Sequence, residues 1–594
     1  MVGKYTNSFL ANNTIVQRRG EILFFQKMIE QLHRDTPISD SYRIHNAYTI
    51  MKELYSVIQD YHDEKINGIA LIEILNETRE MFDDELIIKQ NDPSFYASIK
   101  AELKRTVKID NNQTFDSISL NNISSIYHAI SIVFDKYKPI DYQQQCINLL
   151  KVSVDLDDRK EITSLCQCLI SCLLHNGRSV RNLYNDIRFY FETDKEDFDI
   201  RWSRWVATLL RYDSEYCCLI ELPQAAAFCE NKSVIEGKAY KNELECSGLQ
   251  ITGLEKILEE KKYFLCQVKS PTDDIGYILK TAFLKILPVI AVIDFSSDSE
   301  NLWSQFALIY DIHRRVINFV EYDPSPYQFR PYKQYRQAIH ATVDKMLENF
   351  KNRNSEDYSK ILRSVACISS LQIKNLEYNY LILWSATETL FKSKQTTTTI
   401  ASIKTVVPHI LTQRYVYYLV FDLIKNCGYC KVRPVFESTC IATDTPKDED
   451  VANMCQLLRD PDEASKFIKE CETQYLLLSE QAKELQDILS NAYSIKQKNE
   501  SHLKTLSYNL QRMYRVRNKF VHHSEIDSVM EALYKHLIVY LWESIRELSY
   551  VSNKNSNYTL EELFAYFRIG HTTLMNKLRH IGAGFDFDLL KWEY

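Results

Sequence analysis

The sequence predicts a mainly α protein with a small α/β module in its middle. Three observations carry that fold class. Glycine and proline are scarce, 12 and 13 in 594 residues, which favours long helices over a turn-rich β architecture. Apolar residues recur at helical spacing through most of the chain. That rhythm gives way from about Tyr216 to short apolar runs separated by turns. With 45% hydrophobic residues the chain can bury a substantial core, and its length allows roughly two to four domains.

In chain order, residues 1–214 read as an N-terminal helical region, with amphipathic segments such as Gly20–His33 and Ser41–His62. They carry no catalytic signature, and a sensing or regulatory role is the natural expectation for them. Residues 215–330 read as the α/β module, with strands at Cys217–Leu222, Leu249–Ile251, Tyr263–Val268 and Val289–Phe295. Ser270-Pro271-Thr272-Asp273-Asp274 signals the start of a helix over Ile275–Leu287 and so a strand–helix–strand order.

Helices return over residues 331–553. They are expected at Tyr332–Phe350, Glu356–Ser370, the strongly apolar Leu376–Phe391, Val406–Ile424, Val451–Leu458, Ala464–Ser494, Ser501–His523 and Ile526–Tyr550. Gln395–Thr399 reads as a polar loop and Thr443–Asp450 as an acidic insertion. Residues 554–594 form a helical tail. Its Thr559–His580 segment has the rhythm of a helix–turn–helix with the turn near Gly570, serving either nucleic-acid reading or packing on the bundle.

Composition narrows the function. A net charge of -7 excludes a general polyanion binder, so any nucleic-acid site is a local patch. The 15 cysteines are spread through a large chain, and the start MVGKYTNSFLANN lacks an apolar leader segment, so a reducing cytoplasm is expected. Cys427-Gly-Tyr-Cys430 has the spacing of a zinc half-site or redox pair, but no second pair completes a tetrahedral site. Cys166, Cys168 and Cys172, near His175, sit in an apolar run; buried structural thiols account for both clusters. No apolar run reaches the roughly 20 residues that span a bilayer, since Lys285 and Asp294 interrupt Ala282–Phe295, so no membrane association is expected. There is no Walker-type loop and no GxGxxG, and no cofactor or metal is expected. His313-Arg314-Arg315 and Arg336 with His340 lie in aromatic surroundings that could meet RNA, though packing explains them as well.

The most informative stretch is Arg517-Asn518-Lys519-Phe520-Val521-His522. An imidazole moves protons near neutral pH, and a guanidinium holds a phosphate through two parallel hydrogen bonds. The spacing alone is a weak signal, and its context strengthens it. Lys496, Lys498, Lys504, Arg512, Arg515, Arg517 and Lys519 face one acid, Glu500, which makes a basic patch in an acidic protein. A solvated helix face is the plainer reading of that charge. The stripe Leu503, Leu506, Leu510, Tyr514 extends to Arg517 and Val521, placing Arg517 near the packed face. Asn518 and His522 share a helix face, whereas Arg517 and His522 lie about 140° apart on an ideal helix. A long reach, a bend or a second subunit would bring them together. In Leu376–Phe391, Leu381, Trp384, Glu388 and Phe391 share a stripe, so Glu388 is expected on an apolar face, paired with Arg515 or Arg517 or orienting a histidine.

The Arg-Asn-Lys-Phe-Val-His segment resembles the RxxxxH motif of HEPN ribonucleases. The apolar helix ending Trp384-Ser-Ala-Thr-Glu388 resembles the upstream helix of abortive-infection (ApeA-like) HEPN proteins. The resemblance covers roughly residues 340–550. It implies a helical bundle over 331–553 that dimerises with the motif helices face to face, and metal-independent cleavage of RNA in antiphage defence or toxin–antitoxin systems. By motif position, Arg517 and His522 are the catalytic pair and Asn518 supports them. Glu388, His523 and Arg515 are expected as supporting residues, and Lys519, Arg512 and Lys504 as RNA contacts. His523 is a second histidine that the pattern does not require. The implied partners are an RNA substrate, a second copy of the chain, and a phage-derived trigger or an antitoxin. A non-catalytic RNA-binding or protein-interaction module on the same scaffold is the alternative.

Overall fold

The computed structural model describes residues 19–33, 44–63, 65–66, 68–105, 117–193, 196–210, 214–221, 234–236, 262–270, 272–279, 281–283, 285, 306–311, 316–321, 333–369, 376–393, 398–523, 530–580, 587 and 590. The chain is mainly α. It divides into two compact units, one made of residues 1–171 and 327–594, the other of 172–326. The N-terminal helical region therefore does not stand apart: most of it joins the C-terminal bundle in one unit.

The first unit begins with α1 (Arg19–Leu32), α2 (Ala47–His62), α3 (Gly68–Asp83), α4 (Ile87–Asn91), α5 (Pro93–Leu103), α6 (Ser117–Lys136), α7 (Pro139–Leu156) and α8 (Arg159–His175), whose residues from Cys172 on count with the second. Local chemistry sets these boundaries. Asn46 and Thr49 form a reciprocal capping box at the start of α2. Pro93 and Pro139 occupy first-turn positions, where a missing N–H costs nothing. α2 buries Tyr48, Ile50, Met51, Leu54, Val57 and Ile58 on one broad face.

The second unit holds α9 (Val180–Arg188), one π-helical turn (Phe189–Thr193), α10 (Phe198–Leu209) and a five-stranded antiparallel sheet. Its strands are β1 (Ser214–Glu221), β2 (Val234–Glu236), β3 (Lys262–Ser270), β4 (Phe306–Asp311) and β5 (Val316–Glu321), in the order β2-β3-β1-β4-β5. Alternate residues Tyr216, Cys218 and Ile220 of β1 and Phe264, Cys266 and Val268 of β3 pack with Ile278, Leu279, Ala282 and Phe283. Residues 275–279 are helical as expected, and the Asp274 carboxylate caps them by accepting from the Tyr277 N–H at 3.1 Å. Gly177 has φ +87°, and a Cβ there would lie 2.7 Å from the Tyr277 ring, so glycine is required. The expected strands Leu249–Ile251 and Val289–Phe295 lie outside the described residues, as do His313-Arg314-Arg315 and the side chains of Arg336 and His340.

The chain then returns to the first unit with α11 (Lys333–Lys351), α12 (Ser355–Ser369), α13 (Leu376–Phe391), α14 (Thr399–Thr412) and α15 (Tyr415–Tyr429). A two-residue-per-strand ladder, β6 (Val435–Phe436) and β7 (Thr439–Cys440), follows. Then come α16 (Asp448–Arg459), α17 (Pro461–Gln474), α18 (Leu476–Leu489), α19 (Ala492–His523), α20 (Met530–Lys554) and α21 (Leu560–His580). One core joins α11 to α14 with α19, α20 and α21, around Trp384, Leu390, Leu510, Met513, Leu537 and Leu563.

Three expected elements differ. Val406–Ile424 is two helices, because Arg414 leaves helical geometry and lays its guanidinium over Tyr417 and Tyr418, 4.4 and 5.3 Å from the ring centres. Ala464–Ser494 breaks at Tyr475, which turns extended (φ -158°, ψ 111°) with its ring buried, and again at Ser490–Asn491, so the motif helix begins at Ala492 rather than Ser501. The tail is not a helix–turn–helix. α21 runs unbroken through Gly570, whose helix buries Phe567, His571 and Leu574 on the same face; that burial outweighs the roughly 1 kcal/mol helix penalty of glycine. Among the described residues no helix is long and apolar enough to cross a membrane.

Candidate functional site

The site is organised by α19. It has neither glycine nor proline, and it buries Leu506, Leu510, Met513 and Val516 along one face. The expected stripe is rotated: Leu503 and Tyr514 are only half-buried and Val521 is exposed. α13 runs alongside. The Tyr380 hydroxyl donates to the Met513 carbonyl at 2.8 Å, and the Trp384 and Tyr514 rings lie 5.9 Å apart. One turn further on, Glu388 reaches Arg517. These three steps fix the register of the two helices at the motif.

Arg517 is half-buried. Its Nη1 donates to the Asn518 side-chain oxygen at 2.9 Å, and its Nη2 lies 3.9 Å from Glu388 Oε2. The structure thus brings Arg517, Asn518 and Glu388 together. Glu388 does not sit on an apolar face, since its side chain is partly exposed and the buried face of α13 runs through Tyr380, Leu383, Trp384, Thr387 and Phe391. His522 and His523 lie in the last turn of α19, and their side chains fall outside the described residues.

The other cations of α19 have a different fate. Lys504, Arg512, Arg515 and Lys519 follow one another at helical spacing and meet carboxylates from α2 and α3. Arg512, expected among the RNA contacts, is buried: its Nε is 2.8 Å from Glu53, its Nη2 is 2.7 Å from Glu77, and its Nη1 donates to Asn509. Arg515, expected to support the motif or pair with Glu388, instead binds the other oxygen of Glu53 at 2.5 Å. His45 Nε2 lies 3.0 Å from Glu53. Burial alone would raise the Glu53 carboxyl, but Arg512, Arg515 and His45 hold it well below the ordinary carboxylate range. Lys519 donates to Ser56 at 3.1 Å and pairs with Asp60 at 2.9 Å. Lys504 pairs with Glu80 at the surface, and Lys404 of α14 with Glu73 of α3.

The patch read as a phosphate-binding surface is therefore largely matched from within. Sequence reasoning missed the acidic partners. Their signal was present as Glu73, Glu77 and Glu80 at positions i, i+4 and i+7 of one amphipathic helix, with Glu53 and Asp60 seven residues apart in the preceding one. Magnitudes separate the two groups. A partly exposed pair at 3.9 Å is worth about 0–1 kcal/mol, so Glu388 can yield Arg517 to a phosphate at little cost. Removing a partner from the Arg512–Glu53–Arg515 network strands a buried charge, at about 3–5 kcal/mol.

At the end of α2 a cleft of about 690 Å³ opens beside α19, with Lys519 in its wall. Among the described residues no group of three or more His, Cys, Asp or Glu side chains is placed to hold a metal ion. Cys427 lies against the Cys471 thiol of α17; that hydrogen bond and burial push it well above the usual thiol range, so it stays protonated. Cys166 and Cys172 are likewise buried. No family model, curated protein or solved structure matches the chain.

Proposed function

We propose that the chain is a metal-independent endoribonuclease of the HEPN type, acting through Arg517 and His522 as a toxin-like effector of antiphage defence. The observation that supports it best is the state of Arg517. In a helix where Arg512 and Arg515 are locked to Glu53, Arg517 is partly solvent-reachable, braced by Asn518 and, among the described residues, opposed only by a carboxylate at 3.9 Å. In the reaction, the RNA 2′-OH attacks the adjacent phosphorus, the P–O5′ bond breaks, and a 2′,3′-cyclic phosphate and a 5′-hydroxyl result; His522 is the proton-transfer group, taking the 2′-OH proton and returning one to the leaving 5′-oxygen. Arg517 stabilises charge on the phosphoryl oxygens, and Asn518 holds the guanidinium in place. The need for a 2′-OH restricts cleavage to RNA. A second copy of the chain would supply the facing motif helix.

The internal pairing of Lys504, Arg512, Arg515 and Lys519 favours a second reading, in which the bundle is a non-catalytic RNA-binding or protein-interaction scaffold. Purified wild type, Arg517→Ala and His522→Ala, incubated with RNA and with DNA in EDTA, separate the two. The nuclease reading expects RNA fragments ending in 2′,3′-cyclic phosphate, intact DNA, and a loss of roughly 100-fold or more in either variant. Intact RNA with wild type, in extracts of phage-infected cells as well as in buffer, sinks it. Equal cleavage by all three proteins sinks the assignment of the two residues.

A further inference from the structure

The cleft at the end of α2 takes no part in the phosphate chemistry above. Its volume, about 690 Å³, is in the range of small-ligand sites and ample for one nucleotide. Gln59, Asp60 and His62 line it from α2, Asp63 and Lys65 from just beyond that helix, Tyr127 from α6 and Lys519 from α19. A lining of both signs suits neither a bare polyanion nor a bare cation. It suits a ligand that is anionic at one end and rich in N–H donors at the other.

Three features give that ligand a shape. Lys519 is two residues beyond Arg517; its ammonium carries three donors, of which Ser56 and Asp60 take two. Tyr127 is held rigidly, stacked on Tyr55 with ring centres 4.3 Å apart, its hydroxyl donating to the Tyr55 oxygen at 2.5 Å and accepting from Gln59 at 3.2 Å. It offers an aromatic wall of the kind on which bases stack. Asp63 is exposed at the rim, with its carboxylate 3.0 Å from Lys65 at one oxygen.

We propose that this cleft seats one unpaired guanosine of the RNA chain, its phosphate on Lys519, its base against Tyr127 and its pairing edge on the Asp63 carboxylate. Guanine is the RNA base whose pairing edge offers two adjacent donors, N1–H and the 2-amino group, and a carboxylate accepts both at once. The inference rests on the RNA-cleaving reading and adds a base preference to it.

The test is equilibrium binding of 2′-deoxy-blocked RNA pentamers, each with one central G, A, C or U, to the full-length protein by fluorescence anisotropy. Wild type is expected to bind the G pentamer at least tenfold more tightly than the others. Asp63→Asn should bring G to the level of the rest, and Tyr127→Leu should weaken all four. Asp63 is exposed, and far-UV circular dichroism melts check that both variants fold. Arg517→Ala should keep the preference for G, so a nuclease without base selection and a base-selective binder without cleavage give different results. Equal binding of the four pentamers, a different preferred base, no binding at all, or a G preference that survives Asp63→Asn each overturns the proposal.

Discussion

At the scale of single residues, the charges of α19 divide by what water can reach. Arg512 has a side chain only 1% exposed and two carboxylate partners, so its charge is structural. Burial alone would lower its pKa, but Glu53 and Glu77 raise it instead. Arg512→Ala or Glu53→Gln should lower the unfolding free energy in urea by about 3–5 kcal/mol. Lys504→Gln, at an exposed pair, should change it by less than about 1 kcal/mol. The Glu53 carboxyl also sets a pH dependence. Its folded pKa lies below the unfolded value of about 4.3, so its contribution is complete above that pH and is lost as pH falls through the folded value. Acid unfolding of wild type followed by tryptophan fluorescence should therefore steepen below about pH 4.3, and Glu53→Gln should flatten that limb. The nearness of Glu388 to Arg517 was one of the pairings that the stripe of α13 suggested, and Asn518 is the chain neighbour of Arg517. The partners of Arg512 and Arg515 were not legible in the sequence, since nothing in α19 says that Glu53 and Glu77, over 430 residues away, come to meet it.

Among elements, legibility follows periodicity. α13 lies where its apolar run placed it, Leu376–Phe391, and β1 and β3 cover most of the short apolar runs Cys217–Leu222 and Tyr263–Val268. The breaks at Arg414 and Tyr475 carry no glycine or proline; a guanidinium stacked on Tyr417, Tyr418 and the distant Tyr550 marks one and a buried ring the other, so tertiary packing acts at both. The same holds for α21, where Gly570 marked a turn that packing cancels. That helix docks on α14 partly through His571, whose ring meets His409 edge-on with centres 5.0 Å apart. Burial, and then the neighbouring His409, lower the His571 pKa to about 4. The unfolded chain binds that proton near pH 6.5, so docking loses stability as pH falls from about 6.5 to about 4, by on the order of 3 kcal/mol in full. Hydrogen exchange of α21 amides should accelerate across that window relative to α13. In His571→Gln the difference should vanish; an unchanged difference would show that His571 does not hold the helix.

For the molecule as a whole, the finding that sequence reading did not reach is the union of residues 1–171 with 327–594 in one unit. Periodicity reports helices one at a time and is blind to which distant pair shares a core. A chain cut to residues 327–594 would expose the apolar surface of α19 and leave Arg512 and Arg515 without Glu53 and Glu77. It should lack a cooperative thermal transition by circular dichroism, and adding residues 1–171 in trans should restore one. The same pairing imposes an order in time. The ribosome makes Glu77 435 residues before Arg512, a wait of roughly 20–90 s at about 5–20 residues per second. Through that interval the acidic helices hold an unfinished seat, and the helix that fills it follows only hundreds of residues later. Premature termination anywhere upstream of α19 would release a polypeptide in which Glu53 and Glu77 never meet Arg512 and Arg515, so incomplete copies carry buried acids with no counter-charge from that helix.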